Sequence, residues 1–224
     1  MTTFLKFILI LLCFLTPIKF YSQNKEQAIA EIWTQYYNTI KLSDKSEINS
    51  DIAYRFTGKI NNYKFFLIRT SYAYKINRIK LSLGGAYANS FSNKELTNKE
   101  IRIYQEILHT THFLANRIRI EQQFFNPSTD SYTLRLRYRF LFNFNLKNKK
   151  LFLNIGNEFF VNSKSNIDSF YFSQNRILIG LNYKINPTNS FSLTYNLQSD
   201  NDLNYKNILW LGYRTTLNLK KQTQ

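Results

Sequence analysis

Residues 132–144 read YTLRLRYRFLFNF, and from Leu134 to Phe140 apolar or aromatic residues alternate with arginines. One set of alternate positions is apolar or aromatic and includes Leu134 and Leu136, whereas the intervening set contains Arg135, Arg137 and Arg139. A period of two is typical of a β-strand whose two faces meet different surroundings. The stretch therefore predicts a long strand with one apolar face and one cationic face.

The same alternation recurs along the chain between clusters of turn-forming residues. Between residues 116 and 125, Arg117, Arg119 and Glu121 share one face, and Ile118 and Ile120 share the other. Polar residues, often Asn, separate such stretches and are typical of turns. The turn signals fall near residues 43–45, 58–62, 76–78, 92–99, 110–112, 126–130, 145–149, 162–168, 185–189 and 199–204.

These turn signals divide the chain into long predicted strands. Most would have about 10–15 residues, whereas strands of ordinary globular proteins average about 5–6. Strands of this length suit a tilted barrel that crosses a bilayer. The segmentation itself gives eleven strands, but bacterial barrels normally have an even number. We therefore expect about twelve strands, with ten as the alternative if residues 26–41 do not form a full strand.

The N-terminal segment differs from the rest of the chain. Phe7–Leu15 is an unbroken apolar run that follows Lys6, and it is short for a transmembrane helix. This pattern predicts a signal peptide cleaved after Ser22, so that residues 1–22 are removed and residues 23–224 form a single barrel domain. Because export takes the protein out of the cytoplasm, we expect no nucleic-acid partner despite the formal net charge of +16.

Alternation alone does not decide which face is outside. A soluble β-domain would bury the apolar face, and a membrane barrel would bury the Arg face. The signal segment, the long strands and the aromatic residues near strand ends all favour the membrane. We predict an all-β, antiparallel transmembrane β-barrel in the outer membrane, with a polar interior lined by Arg and Glu. The aromatic residues assigned to its outer surface are Tyr63, Phe65, Tyr72, Phe142, Phe144, Tyr171 and Tyr183.

Several short motifs follow one another in a particular order. They are Glu100-x-Arg102-x-Tyr104-Gln105, Asn116-Arg117-x-Arg119-x-Glu121-Gln122, Arg135-x-Arg137-Tyr138-Arg139, Asn157-Glu158-Phe159-Phe160 and Gln174-Asn175-Arg176-x-x-x-Gly180-Leu181-x-Tyr183. This succession resembles DUF2490, a family of exported Gram-negative proteins of unknown function. The resemblance covers nearly all of the chain after the signal segment. It implies an outer-membrane barrel and assigns no activity.

If the Arg face is interior, opposite charges from neighbouring strands can pair across about 4.8 Å, and Arg can bind carboxylates through two nitrogens. The network then has two interpretations. It is either a structural ladder that fills the lumen or the lining of a narrow, porin-like channel that attracts small anionic solutes. The predicted lumen-lining residues are Arg102, Glu106, Arg117, Arg119, Glu121, Arg135, Arg137, Arg139, Glu158 and Arg176.

Signals for catalysis are weak. His109 and His112 are the two histidines of the chain, and no spacing selects a Ser or a carboxylate as their partner. Phosphate-loop and dinucleotide motifs are also missing from the sequence. We predict a protein that is not an enzyme, has no metal or cofactor, and is in contact with outer-membrane lipid. The alternatives are a barrel-embedded lipid-modifying enzyme and a secreted soluble β-domain that binds acidic glycans.

Overall fold

A computed structural model describes residues 31–57, 63–92, 94–126, 131–146, 150–163, 169–202 and 204–219. The predicted signal peptide lies outside these residues. The strands are β1 (Glu31–Lys41), β2 (Ser46–Thr57), β3 (Tyr63–Ile76), β4 (Ile79–Ser92), β5 (Glu95–Thr110), β6 (Leu114–Phe125), β7 (Ser131–Asn145), β8 (Leu151–Ser163), β9 (Phe170–Lys184), β10 (Asn189–Asp200) and β11 (Tyr205–Asn218). They form one closed barrel, which confirms the predicted all-β barrel fold.

The barrel closes through an unusual pair. Sequence neighbours are antiparallel throughout, but β1 and β11 pair in parallel, from Glu31 opposite Ile208 to Lys41 opposite Asn218. In an up-and-down barrel with an odd number of strands, the first and last strands run in the same direction. The closing pair must then be parallel.

The predicted count of twelve strands is therefore wrong, because the described residues contain eleven. The alternative of ten is also wrong, since Glu31–Lys41 is a full strand that pairs along its whole length with β2 and β11. The turn signals had given the observed number. The expectation of an even number of strands was wrong for this barrel because it assumes that the first and last strands pair antiparallel.

Strand breaks occur at the predicted turns wherever those turns are described. The turn between β3 and β4 consists of Asn77 and Arg78. Asn77 has a φ of 52°, in the left-handed region that Asn tolerates better than most residues. This conformation allows Ile76 and Ile79 to pair directly across the turn.

The two faces of the strands are strongly different in solvent exposure. Leu83 and Ile103 point outward with 60% and 47% of their surface exposed, whereas Glu121 and Glu158 point inward with 1% exposed. On β9, Phe170 and Tyr183 are exposed near the two ends of the strand. The apolar face is thus the outer surface of the barrel, and the charged face lines its lumen.

One aromatic residue assigned to the outer surface lies inside. Phe65 is 9% exposed, and it pairs with Arg55 on the inward-facing side of the sheet. Its position near a strand end resembled that of the outer aromatic residues, and sequence character alone did not distinguish them.

No helix within the described part of the chain is long and apolar enough to cross a membrane.

The interior is lined unevenly. One side, which we call the charged wall, is formed by the inward side chains of β5–β9 and contains all ten predicted lumen residues. The other, which we call the apolar wall, is a cluster of buried residues on β2–β4. It consists of Ala53, Phe65, Leu67, Ala86 and Ala88.

Candidate functional site: the charged lumen

The lumen contains a cavity of about 710 Å³ that is lined by side chains from all eleven strands. Eight of the ten predicted lumen residues line it directly. The other two, Glu121 and Glu158, lie beneath the guanidinium groups and are almost completely buried. The structure therefore places all ten predicted side chains on the interior face of the barrel. The eight that line the cavity are Arg102, Glu106, Arg117, Arg119, Arg135, Arg137, Arg139 and Arg176.

Strand register explains why these charges meet. Arg137 on β7 lies opposite Arg119 on β6, and Glu158 on β8 lies between Arg139 on β7 and Arg176 on β9. Because side chains alternate across each strand, paired positions in neighbouring strands present their side chains to the same face. The Arg and Glu positions of each strand therefore converge on one surface.

Glu158 is the acceptor for three arginines from three strands. Its Oε1 accepts hydrogen bonds from Arg117 and from Nη2 of Arg137, the latter at 2.7 Å. Nη1 of Arg176 lies 3.5 Å from the other carboxylate oxygen. Glu158 thus connects β6, β7 and β9 to its own strand through the lumen.

Glu121 occupies an equivalent position on β6. Arg135 donates to it through Nε at 2.7 Å, Arg137 through Nη1 at 2.8 Å, and Arg119 lies 3.4 Å away. Because Arg137 donates to both Glu121 and Glu158, it joins the two carboxylates into one network. Such hydrogen-bonded pairing is what allows charges to be buried without a large penalty.

Glu106 extends the network to β5. It accepts hydrogen bonds from Arg119, with Nη2 at 2.5 Å, and Arg117 lies 3.6 Å away. Arg102 does not join this network, because both of its donating nitrogens contact Glu100 on its own strand at 2.5 and 2.6 Å. The predicted set therefore forms one continuous network on the charged wall, with Arg102 in a separate pair.

A second pair lies on the opposite side of the lumen, and its residues are not among the ten predicted lumen residues. Arg69 on β3 donates to Asp51 on β2 through Nε at 2.8 Å and Nη2 at 3.0 Å, and Gln35 on β1 donates to the same carboxylate at 2.5 Å. Asp51 and Arg55 share one face of β2 and alternate with the outward-facing Ile52 and Tyr54, and this alternation is the sequence signal that could have identified the group.

The lumen also contains aromatic rings that the sequence analysis did not assign to it. The guanidinium of Arg55 lies 4.0 Å from the ring centre of Trp33 and 4.3 Å from that of Phe65. Trp210 meets Trp33 edge-on at 5.6 Å, and Nε1 of Trp33 donates to Glu31 at 2.7 Å. Cation–π contacts of this kind favour a guanidinium over an aromatic face. Trp33 is therefore a component of the lumen and not of the outer surface of the barrel.

Three inward-facing arginines lack an ion-pair partner. Arg55, Arg139 and Arg214 have no carboxylate of the described residues within 4.0 Å. All three line the cavity. The lumen consequently carries an excess of positive charge that faces open space.

The two histidines lie outside this network. His109 pairs with Ile79 and Asn116 on the outward-facing positions of β5, and His112 lies in the turn between β5 and β6. Among the described residues, no group of three His, Cys, Asp or Glu side chains could hold a metal ion. The guanidinium groups that line the lumen can bind anions through charge-assisted hydrogen bonds.

No curated protein matches the sequence. The family model described as "Protein of unknown function (DUF2490)" matches residues 30–209, which extend from β1 into β11 and include every residue of the predicted lumen network. The match covers most of the chain and confirms the resemblance seen in the motif order. The chain belongs to the DUF2490 family.

Proposed function

We propose that this chain is an outer-membrane β-barrel protein whose lumen is a narrow channel for small anionic solutes. The observation that carries the proposal is the inverted distribution of side chains. Apolar residues cover the outside, and an arginine-rich network surrounds a cavity of about 710 Å³ inside.

The residues on the outer surface of the barrel are evidence for the proposed lipid environment. Aliphatic side chains such as Ile177 and Ile179 are exposed in the middle of β9, with Phe170 and Tyr183 exposed toward its ends. An apolar band between two aromatic girdles is typical of barrels that cross a bilayer. A closed barrel also satisfies its backbone hydrogen bonds without water, as the hydrocarbon region requires.

The lumen supports a preference for anions. Arg139 lines the cavity without a carboxylate partner, and the arginines of the charged wall outnumber the carboxylates that neutralise them. A cavity with walls of one sign concentrates ions of the opposite sign, and rings of Arg or Lys favour anions in pores.

Conductance of the purified full chain in a planar bilayer, under a salt gradient, tests this function. We expect discrete steps and a reversal potential that indicates anion preference. Arg139→Gln should shift the reversal potential toward cations without loss of the fold, because this arginine has no ion pair to break. Arg78→Gln is the matched control, since Arg78 lies exposed in the turn between β3 and β4.

Three results would contradict the proposal or its assigned lumen lining. A folded barrel that gives no conductance steps would exclude the channel, and recovery of the protein in the soluble fraction without detergent would exclude the membrane location. Steps with an unchanged reversal potential in Arg139→Gln would exclude the assigned lumen lining.

A purely structural barrel is the second candidate, and one observation favours it. Arg137 bridges Glu121 and Glu158 inside the lumen and links β6, β7 and β8. If this network exists to hold the strands together, replacing Glu158 should lower stability while wild-type protein gives no conductance. Because Glu158→Gln is expected to lower stability in either case, conductance of the wild-type protein is the measurement that separates the two functions.

A further inference from the structure

Four arginines from four different strands approach one region of the lumen. Arg55 on β2, Arg102 on β5, Arg135 on β7 and Arg176 on β9 all line the same cavity. We call these four residues the arginine ring.

Shared aromatic contacts show that members of the ring are close to one another. The Phe65 ring lies 4.3 Å from the guanidinium of Arg55 and 5.8 Å from that of Arg102. Trp33 likewise lies 4.0 Å from Arg55 and 4.9 Å from Arg176. Two guanidinium groups near the same aromatic side chain are neighbours in space, so Arg55 is a neighbour of both Arg102 and Arg176.

The ring is only partly neutralised. Arg102 pairs with Glu100 and Arg135 pairs with Glu121, but Arg55 has no carboxylate of the described residues within 4.0 Å. Arg176 lies 3.5 Å from Glu158 and donates its Nε to the neutral amide of Gln198 at 2.7 Å.

The surroundings of Arg55 add positive charge instead of balancing it. Arg176, Arg102 and Arg135 all act electrostatically on Arg55, and Glu31 is the carboxylate that opposes them. That carboxylate already accepts hydrogen bonds from Trp33 and from Lys206, at 2.7 and 2.8 Å. The negative charge of Glu31 is therefore largely balanced by these donors and not by Arg55.

We propose that the arginine ring is a binding site for a multiply charged oxyanion of the phosphate type. Guanidinium groups bind phosphate oxygens through two parallel hydrogen bonds, and several of them around one cavity can satisfy several oxygens at once. A single chloride would leave most of the local positive charge uncompensated. The aromatic faces of Trp33 and Phe65 exclude water from one side of Arg55, which strengthens its interaction with an anion.

This site rests on the proposed function, because it names the class of anion that the lumen accepts. Arg55 is the member whose removal tests it most cleanly, since no ion pair is lost. The experiment uses the full chain folded in detergent and titrates it with inorganic phosphate, with chloride at the same ionic strength as the reference. Isothermal titration calorimetry measures the affinity, and Trp fluorescence gives an independent signal because Trp33 lies directly beneath Arg55.

We expect saturable binding of phosphate by the wild-type protein and at least tenfold weaker binding by Arg55→Gln. Arg55→Lys keeps the charge and should recover part of the affinity. Arg78→Gln, in the exposed turn, should remain within twofold of the wild type. Circular dichroism checks that each variant retains the β-barrel.

Absence of saturable phosphate binding by folded wild-type protein would overturn the site, and so would equal affinities of wild type and Arg55→Gln. The outcome is independent of channel activity. Phosphate binding without conductance would support the site and reject the channel, whereas anion-selective conductance without phosphate binding would reject the site and leave the channel intact.

Discussion

The charged wall and the apolar wall belong to the same barrel, but different kinds of inward-facing side chain fill the interior on the two sides. On the charged wall, Glu121 and Glu158 each collect several guanidinium groups from neighbouring strands. On the apolar wall, small side chains such as Ala86 and Ala88 fill little volume. The comparison shows that the charged wall is held by one connected network of ion pairs, whereas β2–β4 combine an apolar cluster with two separate ion pairs, Arg69–Asp51 and Lys80–Glu47.

The two walls meet at β4 and β5. Tyr104 on β5 packs over Gly84 on β4, and the guanidinium of Arg119 lies 4.5 Å from the Tyr104 ring. Because Gly84 has no side chain, the Tyr104 ring can lie against β4, with the guanidinium of Arg119 beside it. Packing at this junction and pairing within the charged wall should therefore contribute to stability in different ways.

The largest expected effect comes from the charged wall. Glu158→Gln removes the negative charge that Arg117, Arg137 and Arg176 share. Arg117 and Arg137 keep Glu106 and Glu121, whereas Arg176 loses the one carboxylate of the described residues within 4.0 Å of it. Breaking one side of a buried ion pair typically costs about 3–5 kcal/mol. We expect a loss of that size in urea unfolding of the detergent-solubilised protein, followed by Trp fluorescence.

Glu95→Gln is the control for this change, since Glu95 is an exposed carboxylate at the start of β5. It should alter the free energy of unfolding by less than about 0.5 kcal/mol, as is usual for surface positions. A loss below about 1 kcal/mol for Glu158→Gln would contradict the view that this network holds the charged wall together.

An intermediate effect is expected where the walls meet. A Cβ atom at Gly84 would lie 2.6 Å from the Tyr104 ring and 2.5 Å from the backbone oxygen of Thr70. Gly84→Ala must therefore displace Tyr104 or the sheet, and overpacking of this kind costs about 1–3 kcal/mol. Gly85→Ala is the matched control, because its nearest neighbour would be the backbone oxygen of Arg102 at an ordinary 3.6 Å.

The same unfolding measurement tests this pair of variants. Equal stabilities of Gly84→Ala and Gly85→Ala would show that Tyr104 is free to move, and the packing of the two walls would then have to be reconsidered.

The smallest effect is expected at the end of the apolar side. Lys80 on β4 pairs with Glu47 on β2 at 2.7 Å, and these side chains are 29% and 20% exposed. Partly exposed pairs contribute about 0–1 kcal/mol and are screened by salt. Lys80→Gln should lower stability by less than about 1 kcal/mol at low salt, and the difference from wild type should vanish in about 1 M salt.

Lys45→Gln, in the exposed turn between β1 and β2, controls for the loss of one positive charge. A loss of stability in Lys80→Gln that persists in high salt would indicate that this pair is as well shielded from solvent as those of the charged wall. The ion pairs of the two walls would then not differ in strength.

Much of the fold was predictable because the residue types of each strand alternate and so distinguish its apolar face from its polar face. The alternation of Arg135, Arg137 and Arg139 with Leu134 and Leu136 identified β7 and both of its faces. The strand count was less predictable. The turn signals were sufficient to give eleven, but the parallel closure of β1 and β11 has no signature in either strand.

The sequence predicted which residues belong to the lumen network, but it did not predict which of them pair with one another. Residues such as Glu121 and Arg176 could be placed on the polar face of their strands from alternation alone. The partners could not, because they depend on the register between strands: Arg102 pairs within its own strand, while Arg137 bridges carboxylates on both neighbouring strands. Trp33 and Phe65 were missed because an aromatic residue fits either face of such a barrel.

The sequence by itself determined the strands, their turns and their two unlike faces, since these properties reside in neighbouring residues and follow from a period of two. Only the tertiary structure decided how the barrel closes, which guanidinium groups remain without a carboxylate, and which aromatic rings they contact. Closure brings together residues far apart in the chain, such as Trp33 and Trp210 or Arg55 and Arg176, and the distances between them depend on the registers of all the strands between them.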